Sequence, residues 1–303
     1  MRPTLTSRFL DLRKLAALER LKFTTRHRIE GSYTGRHASR QQGGAGEFVD
    51  YRDYTPGEDL RRIDWKVFAR TQKPYIRLFQ DETNLLCTLV IDASASMRFG
   101  GRSDQDLTGS KLEYAQFLAT ALAHIISKGQ DQVGLAIAGE RLIHFVPPGG
   151  TPTHVASLHE SIENLQTAPS LYFAQSLRDL FERIKSRGVL FIMSDFLSED
   201  LDESFAALRL FRHRQFEVIL VHLVHPAEEQ LPASGSFRFE GLEGEGRVDC
   251  SPAEIRDEYS RGFARHLTTV RSYALANGCD YRLVSTSQSY LNVLRGFLVE
   301  RNS

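Results

Sequence analysis

The sequence predicts an α/β fold with a doubly wound, mostly parallel sheet and an N-terminal extension, on three observations. From residue 85 onward, short apolar runs alternate with stretches whose apolar residues recur at helical spacing. The runs are nearly continuous in Val, Ile, Leu and Phe, as strands are when helices cover both faces. Two of them close on an acid, Asp92 and Asp195, at the strand end where ligands gather in open α/β sheets. A chain of 303 residues with 41% hydrophobic and 25% charged residues can bury a proper core, which sets it apart from disordered and fibrous classes.

Each element has its own pattern. Leu85 to Ile91 form the first buried strand. Ser110 and Glu113 make a capping box, Leu112, Ala115, Leu118, Ala119, Leu122, Ile125 and Ile126 share one helical face, and Gly129 stops the helix. Residues 133–138 and 141–146 read as two strands around a Gly-Glu turn. Residues 153–165 and 173–187 read as helices, the second with Leu177, Phe181 and Ile184 on one side and Gly188 at its end. The next buried strand is 188–196. Helix 202–213 and strand 216–224 continue the alternation, and 236–250 form a glycine-turned hairpin. Ser251, Pro252 and Glu254 open and cap a long helix that runs to Gly278, with proline at its first position. Strand 280–286 and helix 289–300 close the pattern.

The segment before the sheet is different in kind. Residues 1–80 carry 17 Lys and Arg against 9 Asp and Glu, and most of the excess lies in residues 1–46, with ten basic and three acidic residues. Such an arm can meet an acidic partner or lie on the chain's own acidic body. No aromatic interleaving or nucleic-acid motif accompanies it, which points to the second reading. Residues 47–70 hold eleven charged residues and five aromatics, among them Trp65. That density reads as an ion-paired surface anchored by rings, with Trp65 expected to be buried and Arg52, Glu58, Asp59, Arg61 and Arg62 offered to a partner. Residues 75–79 alternate as an edge strand does. The chain thus divides into a basic arm (1–46), a charged and aromatic lead-in (47–82) and a sheet domain (83–300). Charges interrupt residues 1–20, and no apolar run reaches the roughly 18 residues of a membrane helix, so a cytoplasmic protein is expected. Cys87, Cys250 and Cys279 are too widely spaced for a zinc cluster or a disulfide framework and read as packed thiols.

The chemistry concentrates in LVIDASASMRFG, residues 89–100. Asp92, Ser94 and Ser96 place a carboxylate and two hydroxyls at alternate positions of a turn, hard oxygen ligands suited to Mg²⁺ or Mn²⁺. The same residues equally suit an Asx or Ser turn that caps the next helix. Asp195 joins them where its strand neighbours that of Asp92, and two close carboxylates repel unless a cation or a proton lies between them.

DASAS resembles the D-x-S-x-S signature of the metal-ion-dependent adhesion site in von Willebrand factor A domains, and SDF at 194–196 resembles that site's later acid. The lead-in EFVDYRDYTPGEDLRRIDWKVFARTQKPYIRLFQDE, residues 47–82, is similar to the bacterial family known as domain of unknown function 58. The resemblance covers nearly all of residues 30–295. It implies a Rossmann-like, von Willebrand factor A-like domain and a divalent ion; the neutral hydroxyls leave such an ion electrophilic enough to accept one more anionic ligand, so a protein partner offering an acidic residue is expected. A MoxR-type AAA+ ATPase, acting in the assembly or maturation of protein complexes, is the partner the family implies; it implies no reaction. The family site takes a further threonine from the loop before residue 173, where this chain has Leu171; Ser170 and Thr167 are the hydroxyls at hand, and a weakly held ion is expected. The loop 100–110 is long for the family and is expected to shield or gate the site.

Competing chemistries are less well supplied. Neither Ser94 nor Ser194 sits in a G-x-S-x-G elbow, which argues against a serine hydrolase. Asp92 stands where the nucleophile of a Mg-dependent phosphoryl-transfer enzyme would, but the second acid expected two residues on is Ser94, and no lysine follows an obvious pattern near Asp195. No G-x-x-x-x-G-K-[ST] loop is present, so the chain is not itself the ATPase. His222 and His225 read as core or rim residues. The sequence therefore reads as a non-enzymatic, metal-dependent protein-interaction module, with phosphoryl transfer through Asp92 as the alternative.

Overall fold

The computed structural model describes residues 7–16, 18, 23–24, 37–39, 47–56, 60–83, 85–100, 109–232 and 234–302. The chain forms two compact units, one of residues 24–85 and one of residues 1–23 with 86–303. The expected basic arm is thus divided. Up to Phe23 it belongs with the sheet because Phe9, Leu15, Leu18 and Phe23 are buried, with Leu15 on the single helical turn α1 (Leu12–Leu15). Phe9 meets Phe117 edge-on at 4.9 Å, and Phe23 meets Phe297 at 5.7 Å. Counting charge had passed over these apolar residues.

In the smaller unit, β1 (His37–Ser39), β2 (Glu47–Asp53), α2 (Trp65–Thr71) and β3 (Tyr75–Thr83) follow in order, with β3 between β1 and β2 and antiparallel to both. Asp64 caps α2, its Oδ1 accepting the amides of Lys66 at 2.9 Å and Val67 at 3.2 Å, while the Tyr51 hydroxyl donates to Oδ2 at 3.1 Å. Trp65 is not the buried anchor expected: it is 57% exposed and stands edge-on to Phe68. The reason is length, since α2 spans two turns and buries none of its own residues. Burial falls instead on Ile63 and Ile76, which form a β-bridge, and on Asp64 itself. Of the residues expected to face a partner, Arg61 is exposed; Glu58 and Asp59 lie outside the described residues, as do the side chains of Arg52 and Arg62.

The larger unit continues through β4 (Leu86–Asp92), α3 (Lys111–Lys128), β5 (Gln132–Ala138), β6 (Leu142–Gly149), α4 (Pro152–Glu163) and α5 (Phe173–Arg183). Next come β7 (Val189–Ser194), α6 (Leu201–His213), β8 (Glu217–Val224), α7 (Pro226–Glu229), β9 (Phe237–Glu240) and β10 (Arg247–Cys250). Helix α8 (Pro252–Ala276), β11 (Asp280–Ser285) and α9 (Tyr290–Asn302) complete it. The main sheet has the order β11-β8-β7-β4-β5-β6, parallel except for β6, which runs antiparallel to β5; β9 and β10 form a separate hairpin. This is the doubly wound, mostly parallel α/β fold read from the alternation of apolar runs and amphipathic helices. On one face Val90, Ala136, Ile192 and Leu220 join a core with Leu177, Leu208, Phe211, Val270 and Ala274 from α5, α6 and α8. Helices α3 and α9 contact each other, and α3 also packs on β4, β5 and β8. Residues of alternate parity on each strand serve the two faces, so the inner strands are buried along nearly their whole length.

Two local expectations take a different form. Ser110 does cap α3 by accepting the Glu113 amide at 3.2 Å, whereas Ser251 makes no side-chain cap to α8. No helix among the described residues is long and apolar enough to cross a membrane.

Candidate functional site

Strand order reverses at β4, because the chain leaves it for β5 on one side and returns to β7 on the other. The crevice beyond the carboxyl end of β4 is the place where such sheets hold ligands. Asp92 ends β4 and Asp195 directly follows β7, and the parallel register Ile91↔Met193 brings the two together. Both are buried, at 0% and 2% exposure.

A chain of short contacts fixes the cluster. Asp92 Oδ1 accepts the Ser94 amide at 2.8 Å, and Asp92 Oδ2 accepts the Ser194 hydroxyl at 2.5 Å. The Ser194 hydroxyl in turn accepts the Phe196 amide at 2.8 Å, closing a turn in which Phe196 takes a left-handed φ of 54°. Such a conformation is costly for a bulky residue and is held by its surroundings. The Ser94 and Ser96 hydroxyls share a hydrogen bond of 2.9 Å. Asp195 Oδ1 accepts the Leu197 amide at 3.1 Å, while its Oδ2 receives the ammonium of Lys111 at 2.7 Å. Lys111, the first residue of α3, is wholly buried and also pairs with Glu228. Glu228 is oriented by a capping box, its Oε2 accepting the His225 amide at 2.7 Å while His225 Nδ1 accepts the Ala227 amide. Gly100 has a φ of 87° and packs so closely on His225 that a Cβ there would stand 2.3 Å from the ring. Only glycine suits that close, left-handed turn.

Sequence reading named Asp92, Ser94, Ser96 and Asp195, and the fold brings these four together. Ser170 is turned elsewhere, donating to Glu140 at 3.3 Å, and Leu171 is buried in the core. Their loop reaches the cluster through its backbone, the Ala168 amide donating to the Ala93 carbonyl at 2.7 Å. Ser194 was weighed only as a hydrolase nucleophile, Glu228 was not named, and the expectation of no lysine near Asp195 is corrected by Lys111. Residues 101–108 of the expected gating loop lie outside the described residues. His222 is a buried core residue, its Nδ1 2.9 Å from the Tyr281 hydroxyl, and burial together with the neighbouring His266 lowers its pKa to about 3.

The charges are unequal. Burial and the adjacent Asp195 push Asp92 up to about 7. Burial works the same way on Asp195, but the charge and hydrogen bond of Lys111 outweigh it and hold Asp195 below the ordinary carboxyl range. A divalent ion at the usual distance of about 2.1 Å from Asp195 Oδ2 would therefore stand within about 5 Å of the Lys111 ammonium. Repulsion between them at an effective dielectric of about 20 is roughly 7 kcal/mol. The other carboxylate is held toward its protonated form, and the Ser94 and Ser96 hydroxyls bond each other and the carboxylates beside them. So arranged, Lys111 competes with a divalent ion for Asp195, and the residues fit such an ion poorly while the ammonium stays in place.

The open, doubly wound sheet, an α/β class of fold, carries the D-x-S-x-S turn at its switch point. The chain belongs to the family described as protein of unknown function DUF58, whose pattern matches residues 50–269. It is 28% identical over 295 residues to the uncharacterized protein Rv1480 of Mycobacterium tuberculosis, covering 96% of this chain and 90% of that one. Among solved structures, the conserved hypothetical protein BatB of Bacteroides thetaiotaomicron is 14% identical, with a TM-score of 0.44 over 71% of this chain and 98% of that one. The SpRpn10 VWA domain is 13% identical, with a TM-score of 0.39 over 69% and 93% of the two chains.

Proposed function

We propose that this chain is a non-enzymatic protein-interaction module that takes its partner at the carboxyl ends of its parallel strands. The observation that carries the reading is a cavity of about 840 Å³ beside the Asp92 cluster. Two of its lining residues touch both: Glu243 accepts the Ser96 amide at 3.2 Å, and His266 Nε2 lies 3.2 Å from the Asp195 carbonyl. Tyr172, at 57% exposure, and Leu197, at 44%, offer apolar surface within it. Glu199, Asp202, Glu203 and Glu245 line the same cavity. Apolar anchors inside a carboxylate rim suit a basic partner segment. The acidic partner residue expected for an ion-completed site would meet those carboxylates instead.

Burial supports the non-enzymatic reading over phosphoryl transfer. Asp92 is wholly buried with both oxygens engaged, which leaves it poorly placed to attack an incoming phosphoryl group. A MoxR-type AAA+ ATPase, the partner implied by the family resemblance, is the first to test. Co-purification with such an ATPase from native lysate should succeed with wild type and fail with a folded Glu199→Lys, Glu203→Lys double variant. A capture that ignores this charge reversal, or a Mg-dependent phosphatase activity lost in Asp92→Asn, would overturn the reading.

A further inference from the structure

We infer that Lys111 is the resident cation of this site, a tethered ammonium that holds the place a divalent ion takes in metal-binding sites of similar sequence. Three observations carry it. Lys111 is 0% exposed, and a buried ammonium is stable only with opposite charge and hydrogen bonds around it. Here Asp195 Oδ2 lies 2.7 Å away, Glu228 adds a second carboxylate, and the Phe99 ring lies 5.7 Å from the ammonium. Glu228 is aimed at it by the capping box with His225, so the lysine's second partner is built into the fold.

The third observation is the position of Lys111 on its helix. It is the first residue of α3, where the helix dipole disfavours a positive charge. A lysine placed there against the dipole, and turned wholly inward, is explained by the carboxylates it meets. It links the first turn of α3 to the turn after β7 and to α7, three elements that surround the Asp92 turn. Its backbone adds to this, the Lys111 amide donating to the Phe99 carbonyl at 3.1 Å. The tethered charge closes the cluster to a second cation by repulsion and leaves the neighbouring hydroxyls to bond each other.

This inference goes beyond the interaction reading and needs no partner for its test. The probe is Mn²⁺ alone, titrated into the full chain and followed by electron paramagnetic resonance. Wild type should hold no Mn²⁺ at millimolar concentration. Lys111→Met, which keeps the volume and removes the charge, should bind it at least tenfold more tightly, and the further change Asp195→Asn should abolish that gain. In parallel, the reactivity of wild-type Lys111 toward reductive methylation, read by mass spectrometry, should be low and the same with or without Mn²⁺. That measurement holds even where Lys111→Met does not fold. Binding of Mn²⁺ to wild type that is lost in Asp195→Asn, a folded Lys111→Met with no gain, or a Lys111 that becomes reactive when Mn²⁺ is added would each overturn the inference.

Discussion

Asp92 and Asp195 end neighbouring strands, yet their environments move their titrations in opposite directions. Asp92, raised by burial and by the charge of Asp195 to about 7, keeps a proton that the unfolded chain sheds near pH 4. Its contribution to stability is therefore intact below about pH 4 and is lost as pH rises through about 7. Asp195 has the opposite sign: held low by Lys111 against burial, it contributes stability above about pH 4 that is lost as pH falls through its depressed value. The two windows do not overlap, so they can be separated. Urea unfolding of wild type should show stability declining from about pH 4 to about pH 7, and Asp92→Asn should flatten that decline. An equally steep decline in the variant would mean that other groups cause it. Asp92 and Asp195 were legible because acids closing buried strands stand out against apolar runs, and Ser94 and Ser96 because they alternate after Asp92 in the turn. Lys111 was not, since a lysine one residue after a capping serine looks like a solvated helix start, and only the fold shows it meeting Asp195 and Glu228.

Elements carry the same lesson about what local pattern can decide. Strands β4, β7 and β8 were readable because burial on both faces leaves no polar alternation. In the lead-in, ring and charge density gave no direction, and the structural role fell to Asp64. Its carboxylate caps α2 through two amides and receives the Tyr51 hydroxyl, joining α2 to β2. Asp64→Ala should lower the stability of this unit by about 1–2 kcal/mol, the usual range for a lost cap, with the Tyr51 contact pushing toward the upper end. Trp65→Ala should change it by less than about 1 kcal/mol, because the ring is mostly in solvent. Chemical denaturation of the two variants checks the ranking, and a Trp65→Ala loss larger than that of Asp64→Ala would return the anchoring role to the ring. Phe9, Leu15, Leu18 and Phe23 show the same limit: they were sparse enough among the charges to look like part of an arm, and only their burial, with Phe9 on Phe117 and Phe23 on Phe297, reveals them as core.

Across the larger unit, buried ion pairs occupy both ends of the sheet and do different work. At the carboxyl ends Lys111 assembles the site. At the amino ends of β8 and β11 the fully buried side chain of Arg301 pairs with Glu217, the first residue of β8, and lies 3.6 Å from Asp280, the first residue of β11. The same guanidinium stands over the rings of Phe297, at 4.7 Å, and Phe23, at 5.6 Å. One side chain thereby ties α9, two strand starts and the N-terminal segment together. Truncating it would leave Glu217 without this cation, while Asp280 keeps Arg282 at 3.3 Å, and breaking a buried pair in this way costs about 3–5 kcal/mol. Strand β8 has eight residues, so this clasp lies roughly 23 Å from the candidate site. Arg301→Ala should therefore lower the denaturation midpoint sharply while leaving partner capture by the remaining folded protein unchanged, whereas Lys111→Met should alter the site itself. Guanidinium denaturation and co-purification of the two variants measure both quantities. A loss below about 1 kcal/mol in Arg301→Ala would show that β8, β11 and α9 are held by apolar packing alone, and a loss of capture in the folded variant would show that the two ends of the sheet are coupled.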